Sequence, residues 1–186
     1  MRYEIETYAR DRVFFTSDTH FFHENVLRYS KRGFGSVEEM NEAIISKWNK
    51  VVPRDGVVFH LGDFSFGGER QWNEMLDRLK GEIHLIVGNH DLQMLKSPVM
   101  NRFAEVEFQK IIQVGSEKIL LNHYPFLCYS GAVRGQWQLF GHVHGEEKER
   151  DRERLEYLFR TQYDVGVDNN GFAPVSYMQL RSILDT

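Results

Sequence analysis

The chain has 186 residues, of which 41% are hydrophobic and 27% charged, and its 23 basic and 27 acidic residues leave a net charge of −4. The length suits one domain over 1–186 with a real core, and the charge excludes a global basic field that would draw nucleic acid. A single cysteine, Cys128, excludes an intrachain disulfide, and no apolar stretch is long enough to cross a membrane, so the expected setting is the cytoplasm.

Val13, Phe14, Phe15 and Thr16 predict a first strand within 12–17, and a loop through SKRGFG follows it. The next element is a helix over 37–50, with Ser36 and Glu39 as a capping box and Val37, Met40, Ile44 and Trp48 on one face. Residues 57–61 predict a second strand, 69–80 a helix closed by Gly81, and 83–87 a third strand. Beyond that point, 105–114 and 117–122 read as two strands joined by Gly115-Ser116, and 136–140 as a short strand. The mixed-charge run 146–160 reads as a solvated helix or a lid-like loop. Residues 162–167 and 172–175 predict closing strands, and Ser176 with Gln179 caps a final short helix. The first half is therefore βαβαβ with parallel strands, and the second half is mostly β. Two packed sheets with helices outside reconcile the halves.

Five predicted strands end in metal-capable groups: Asp18-Thr19-His20, Gly62-Asp63, Gly88-Asn89-His90-Asp91, Asn122-His123 and Gly141-His142-Val143-His144. Five of the eight histidines fall in these clusters. Solvated residues would not follow apolar strands so regularly. The glycines before Asp63, Asn89 and His142 let the backbone turn and approach a ligand closely. Carboxylate, imidazole and amide oxygen suit manganese, iron, zinc or nickel, and no thiolate selects a softer ion. Seven such groups exceed one ion and suffice for two if a carboxylate bridges them.

The ordered set D-x-H, GD, GNHD, NH and GHVH, from residue 18 to residue 144, resembles the calcineurin-like metallophosphoesterases, and the tail DVGVDNNGFAPVS (164–176) is similar to small bacterial and phage members. The resemblance implies a four-layer α/β/β/α sandwich of two mixed sheets flanked by helices. It implies two divalent ions, manganese first, with Asp18, His20 and His144 on one, Asn89, His123 and His142 on the other, and Asp63 bridging. It implies attack by a bridging hydroxide, with His90 as general acid. The stretch DTHFFHEN places His23 and Asn25 as candidate pocket residues, and Asp91 adjoins His90. Arg28, Arg32 and Arg134 are candidate phosphate contacts, whereas His60 and His84 read as packed strand residues.

Protein serine/threonine phosphatases of this superfamily carry GD-x-x-DRG, but here the segment is GDFSFGG, with Phe66 and Gly67 in place of that Asp and Arg. The departure implies a phosphodiesterase or broad phosphohydrolase acting on a small phosphoester, with a nucleotide favoured if the loop phenylalanines Phe21, Phe22, Phe64 and Phe66 stack on a base and are not core. The alternatives are a nuclease and a metal-binding scaffold without turnover.

Overall fold

The computed structural model describes residues 5–144 and 156–184. Its strands are β1 (Thr7–Tyr8), β2 (Val13–Thr16), β3 (Val57–His60), β4 (Glu82–Ile86), β5 (Glu105–Glu107), β6 (Gln109–Val114), β7 (Glu117–Asn122), β8 (Trp137–Phe140), β9 (Gln162–Asp164) and β10 (Val175–Ser176). The helices are α1 (Val26–Tyr29), α2 (Val37–Val51), α3 (Glu69–Arg78) and α4 (Tyr177–Leu184). One sheet has the order β10-β2-β3-β4-β5 and the other β1-β6-β7-β8-β9. This is the expected α/β sandwich of two mixed sheets flanked by helices.

Strands β2, β3, β4 and β5 run parallel; β2, β3 and β4 are largely buried on both faces, as helix-covered parallel strands require, whereas the edge strand β5 is only partly covered. Phe14, Val58, Ile83 and Leu85 meet Met40, Ile44 and Trp48 of α2 and Trp72 and Met75 of α3. The alternate residues Val13, Phe15 and Phe59 face Ile112, Ile119, Leu121 and Leu139 of the second sheet, and Tyr177 and Leu180 of α4 join that core. Trp48 and Trp72 are fully buried, and truncating either to alanine would cost about 3–5 kcal/mol.

The segment 105–114 is not one strand. Residues 105–107 add to β4, and 109–114 join β7 and β1, so the chain changes sheets at the exposed Phe108. Its alternation is continuous, so no turn residue marks the crossing. Ser36 Oγ accepts from Glu39 N, but Glu39 Oε2 reaches past Ser36 to Gly35 N at 2.7 Å, which modifies the expected box. The reciprocal pair at Ser176 and Gln179 forms as expected. Within 146–160, residues 146–155 lie outside those described. No helix among the described residues is long and apolar enough to cross a membrane.

His60 is fully buried beside Trp48 and Phe64. Thr19 Oγ1 donates to Phe64 O at 2.7 Å, so it accepts from His60 Nε2 at 2.9 Å, and His60 Nδ1 accepts no hydrogen bond. Burial pushes this imidazole down to about 3. A neutral His60 is therefore favoured by folding. The resulting stability is fully present above the unfolded value near 6.5 and is lost as pH falls toward the folded value. Between pH 7 and pH 5 the protein should lose about 2 kcal/mol through this group. Urea unfolding at both pH values should show that loss in the parent and a flatter pH dependence in His60→Gln.

Candidate functional site

Parallel pairing does not stop where the strands end. Asp18 N donates to Gly62 O at 2.9 Å and His20 N to Asp63 O at 3.0 Å, so the loops after β2 and β3 stay zipped. Gly141 N donates to His123 O at 3.0 Å and His142 N to Asp18 Oδ2 at 2.9 Å, which joins the second sheet's loops to the first's. Asp18, His20, Asp63, His142 and His144 all have positive φ, between 48° and 72°. Such conformations are rare for side-chain-bearing residues and gather where function holds strain in place. A Cβ at Gly88 would strike the Asp63 carboxylate and backbone N, and one at Gly141 would strike Ser17 Oγ and Asp18 Oδ2. Both positions must therefore be bare for the loops to meet.

These loops bring together two groups of three: Asp18, His20 and His144, and Asp63, His123 and His142. In the first, His20 Nε2 and His144 Nε2 stand 3.2 Å apart, and each lies within 3.8 Å of Asp18 Oδ1. Nitrogens about 2.1 Å from one ion stand about 3 Å apart at a right angle, so the spacing suits shared coordination. In the second, Asn89 Oδ1 lies 3.1 Å from His123 Nε2. Asp63 Oδ2 lies 3.6 Å from His20 Nε2 and 3.5 Å from His123 Nε2, so a single oxygen faces both groups. Asp18 Oδ1 is buried and accepts no hydrogen bond. A carboxylate oxygen in that condition is costly unless a cation meets it, and the donor set suits a divalent ion.

The far sides of three of these four imidazoles are also held. His123 Nδ1 lies 2.7 Å from Leu61 O, a pure acceptor, so Nδ1 carries the proton and Nε2 presents a lone pair. His144 Nδ1 donates likewise to Asp168 Oδ2 at 3.0 Å, and His20 Nδ1 lies 3.2 Å from His23 Nδ1. Burial and the neighbouring cationic groups push His20 well below the ordinary histidine value, which keeps it neutral and able to ligate. Burial raises Asp63, and the Asp18 charge adds to that. Burial pushes His23 down to about 4.

The other sequence candidates separate. His90 donates its backbone N–H to Asp63 Oδ1 at 2.9 Å and keeps a side chain 41% exposed, with Nε2 3.9 Å from Asp63 Oδ2. His23 joins the site and stacks on Phe66 with centroids 3.5 Å apart. Phe66 also lies against His90, whereas Phe21 and Phe64 are core and Phe22 packs at its edge. Asn25 stands exposed at the start of α1, and its side chain does not cap that helix.

Asp91 is fully buried and faces the backbone, not His90. Its Oδ2 accepts from Asp63 N and Gly88 N, both at 2.8 Å, and its Oδ1 from Phe64 N at 3.0 Å. Burial pushes its carboxyl up to about 6 against those three donors. Arg32 is no phosphate contact. Its five N–H groups go to Asp168 Oδ1 and Oδ2, Asp18 O, Thr19 O and Met40 Sδ. Arg134 lines a separate surface hollow with Ser116, Lys118 and Trp137. Sequence reasoning missed Asp168. The available signal was the same as elsewhere, a strand followed by glycine and a carboxylate in Val165-Gly166-Val167-Asp168.

The family profile described as calcineurin-like phosphoesterase matches residues 11–165. An uncharacterized protein of Methanocaldococcus jannaschii is 34% identical over 171 residues, covering 89% of this chain and 86% of its own. The gene 66 protein of Mycobacterium phage L5 is 27% identical over 184 residues, covering 84% of this chain and 86% of its own. A crystal structure of a protein of unknown function from Aquifex aeolicus shares the fold, with a TM-score of 0.71 and 24% identity over 91% of this chain and 97% of that one.

Removing the Asp91 carboxylate would strand three buried N–H donors. Asp91→Ala should lower stability by about 3–5 kcal/mol, and Asp91→Asn by less, because an amide oxygen keeps part of the acceptor set. Denaturant unfolding of the metal-free proteins measures both.

Proposed function

The chain belongs to the calcineurin-like phosphoesterase family, and from that premise we propose that it is a two-metal hydrolase of phosphodiesters, with small nucleotide-like esters as substrates. The observation that carries this reading is Asp63 Oδ2, set 3.6 Å from His20 Nε2 and 3.5 Å from His123 Nε2. One carboxylate oxygen so placed belongs to both groups. Asp18, His20 and His144 hold one divalent ion, Asn89, His123 and His142 hold the other, and Asp63 serves the two. Bound there, a pair of ions (manganese first, with iron, zinc or nickel as alternatives) supplies a water of lowered pKa and a clamp on phosphoryl oxygens.

The chain's own residues do the rest. Leu61 O, Asp168 and His23 keep the ligating nitrogens of His123, His144 and His20 turned inward. His90, tethered by its backbone to Asp63 and with its ring at the rim, donates a proton to the departing oxygen. Phe66 and His23 form a stacked wall beside it. A monoester dianion carries more charge than a diester and calls for a further cation. Arg32, the guanidinium packed under the Asp18 loop, has no donor left to offer, which supports the diester.

A chromogenic phosphodiester and its monoester, each assayed with Mn²⁺ and again after chelation, test the reading. The expected result is metal-dependent turnover that favours the diester. Preference for the monoester would make the protein a phosphatase, and bound metals without turnover on any ester would leave a scaffold. His90→Ala should cost about 10²-fold or more on a diester with a poor leaving group and much less on a good one. Equal activity of parent and variant on the poor substrate would remove His90 from the proton transfer.

A further inference from the structure

The imidazoles of His123, His20 and His144 are not held alike on their far sides. The partner of His123 is a neutral carbonyl and that of His20 is another imidazole, but the partner of His144 is a carboxylate. That carboxylate is itself gripped. Arg32 Nε and Nη2 each lie 2.7 Å from an oxygen of Asp168, in a fork that fixes the plane of the carboxylate. The guanidinium side chain is wholly buried, and the same Nη2 donates to Asp18 O at 2.6 Å while Nη1 donates to Thr19 O at 3.0 Å. Arg32 also lies over the Phe172 ring at 5.7 Å, and Phe172 packs edge-on to Phe34. One cation thus ties the loop that carries Asp18 and His20 to the loop that orients His144.

We infer that Arg32 and Asp168 are positioning residues for the Asp18, His20 and His144 group alone, and that they set its metal affinity by fixing His144 through Nδ1. This rests on the two-metal reading above. The paired carboxylate holds the proton on Nδ1, leaves Nε2 free toward Asp18 Oδ1 at 3.6 Å and makes the imidazole a stronger donor. The Asp63, His123 and His142 group has its own support in Leu61 O and shares no hydrogen bond or ion pair with Arg32 or Asp168.

Calorimetric titration of the metal-free protein with Mn²⁺ is the test, with thermal unfolding before metal addition as the check on folding. The parent should bind two ions. Asp168→Ala should weaken one of them about 10- to 100-fold and leave the other within about twofold. Asp168→Asn, whose amide oxygen still accepts from Nδ1, should fall between parent and alanine, and it supplies the comparison if the alanine variant unfolds. In a His144→Ala background, Asp168→Ala should add no further loss, because it acts through that imidazole. Equal weakening of both ions, an unchanged pair, or losses that add in full would overturn the assignment. A parent that binds fewer than two ions would instead overturn the two-metal reading beneath it.

Discussion

The whole site depends on left-handed backbone held at five side-chain-bearing residues. Asp18, His20, Asp63, His142 and His144 each occupy a conformation that costs of order 1 kcal/mol or more relative to the usual basins. Aspartate and histidine tolerate it better than most side-chain-bearing residues, but tolerance alone does not hold five of them there. What holds it is the continuation of sheet hydrogen bonding past the strand ends, where Asp18 N meets Gly62 O and His20 N meets Asp63 O. Because the backbone turns over at alternate residues, Asp18 and His20 both project inward, and Asp63 lies between the two groups. Buried Asp91 completes the support, gathering N–H groups from the loops that carry Asp63 and Gly88 onto one carboxylate.

Electrostatics explains why so many titratable groups tolerate one another. Two carboxylates and several imidazoles share a buried space, and burial alone would favour the uncharged form of each. His20 and His142 are pushed toward the neutral form by burial, whereas the hydrogen bond to Asp168 raises His144 despite its burial. Burial and the Asp18 charge push Asp63 toward its neutral form, so a positive partner inside the site would restore its charge. Asp168 has its own partner in Arg32. Its carboxyl stays below the ordinary value despite burial, through hydrogen bonds from His144 and Arg32. The acid group with a resident cation is thus Asp168, whereas the carboxylate oxygens of Asp18 and Asp63 bond to no arginine or lysine among the described residues, although Arg32 does reach the Asp18 backbone carbonyl.

Much of this was legible in the sequence because strand endings are local. An apolar run followed by a polar residue, with glycine before Asp63, Asn89 and His142, can be read without knowing the partners, and it puts Asp18, His20, Asp63, Asn89, His123, His142 and His144 at strand ends. The parts that were hidden are set by distant contacts. Arg32 looks like any loop arginine until Asp168 is seen beside it, 136 residues further on. Asp91 adjoins His90 in sequence, yet its carboxylate turns to the backbone of another loop. The change of sheet at Phe108 was hidden because alternation signals a strand and not which sheet it joins.

The ties that close the site span very long stretches of chain. His142 reaches Asp18 across 124 residues, and β10 pairs with β2 from opposite ends of the sequence. The β6–β7 hairpin is joined by a two-residue turn and is local in sequence, but the ties between the site's loops are not. Contacts of such wide separation form late and slowly, since most of the loop-closure entropy is spent before they are rewarded. A nascent or half-folded chain therefore displays Asp18, His20 and Asp63 without His123, His142 and His144. Assembly of the two candidate metal groups is in this way a final act of folding, completed only in the finished molecule.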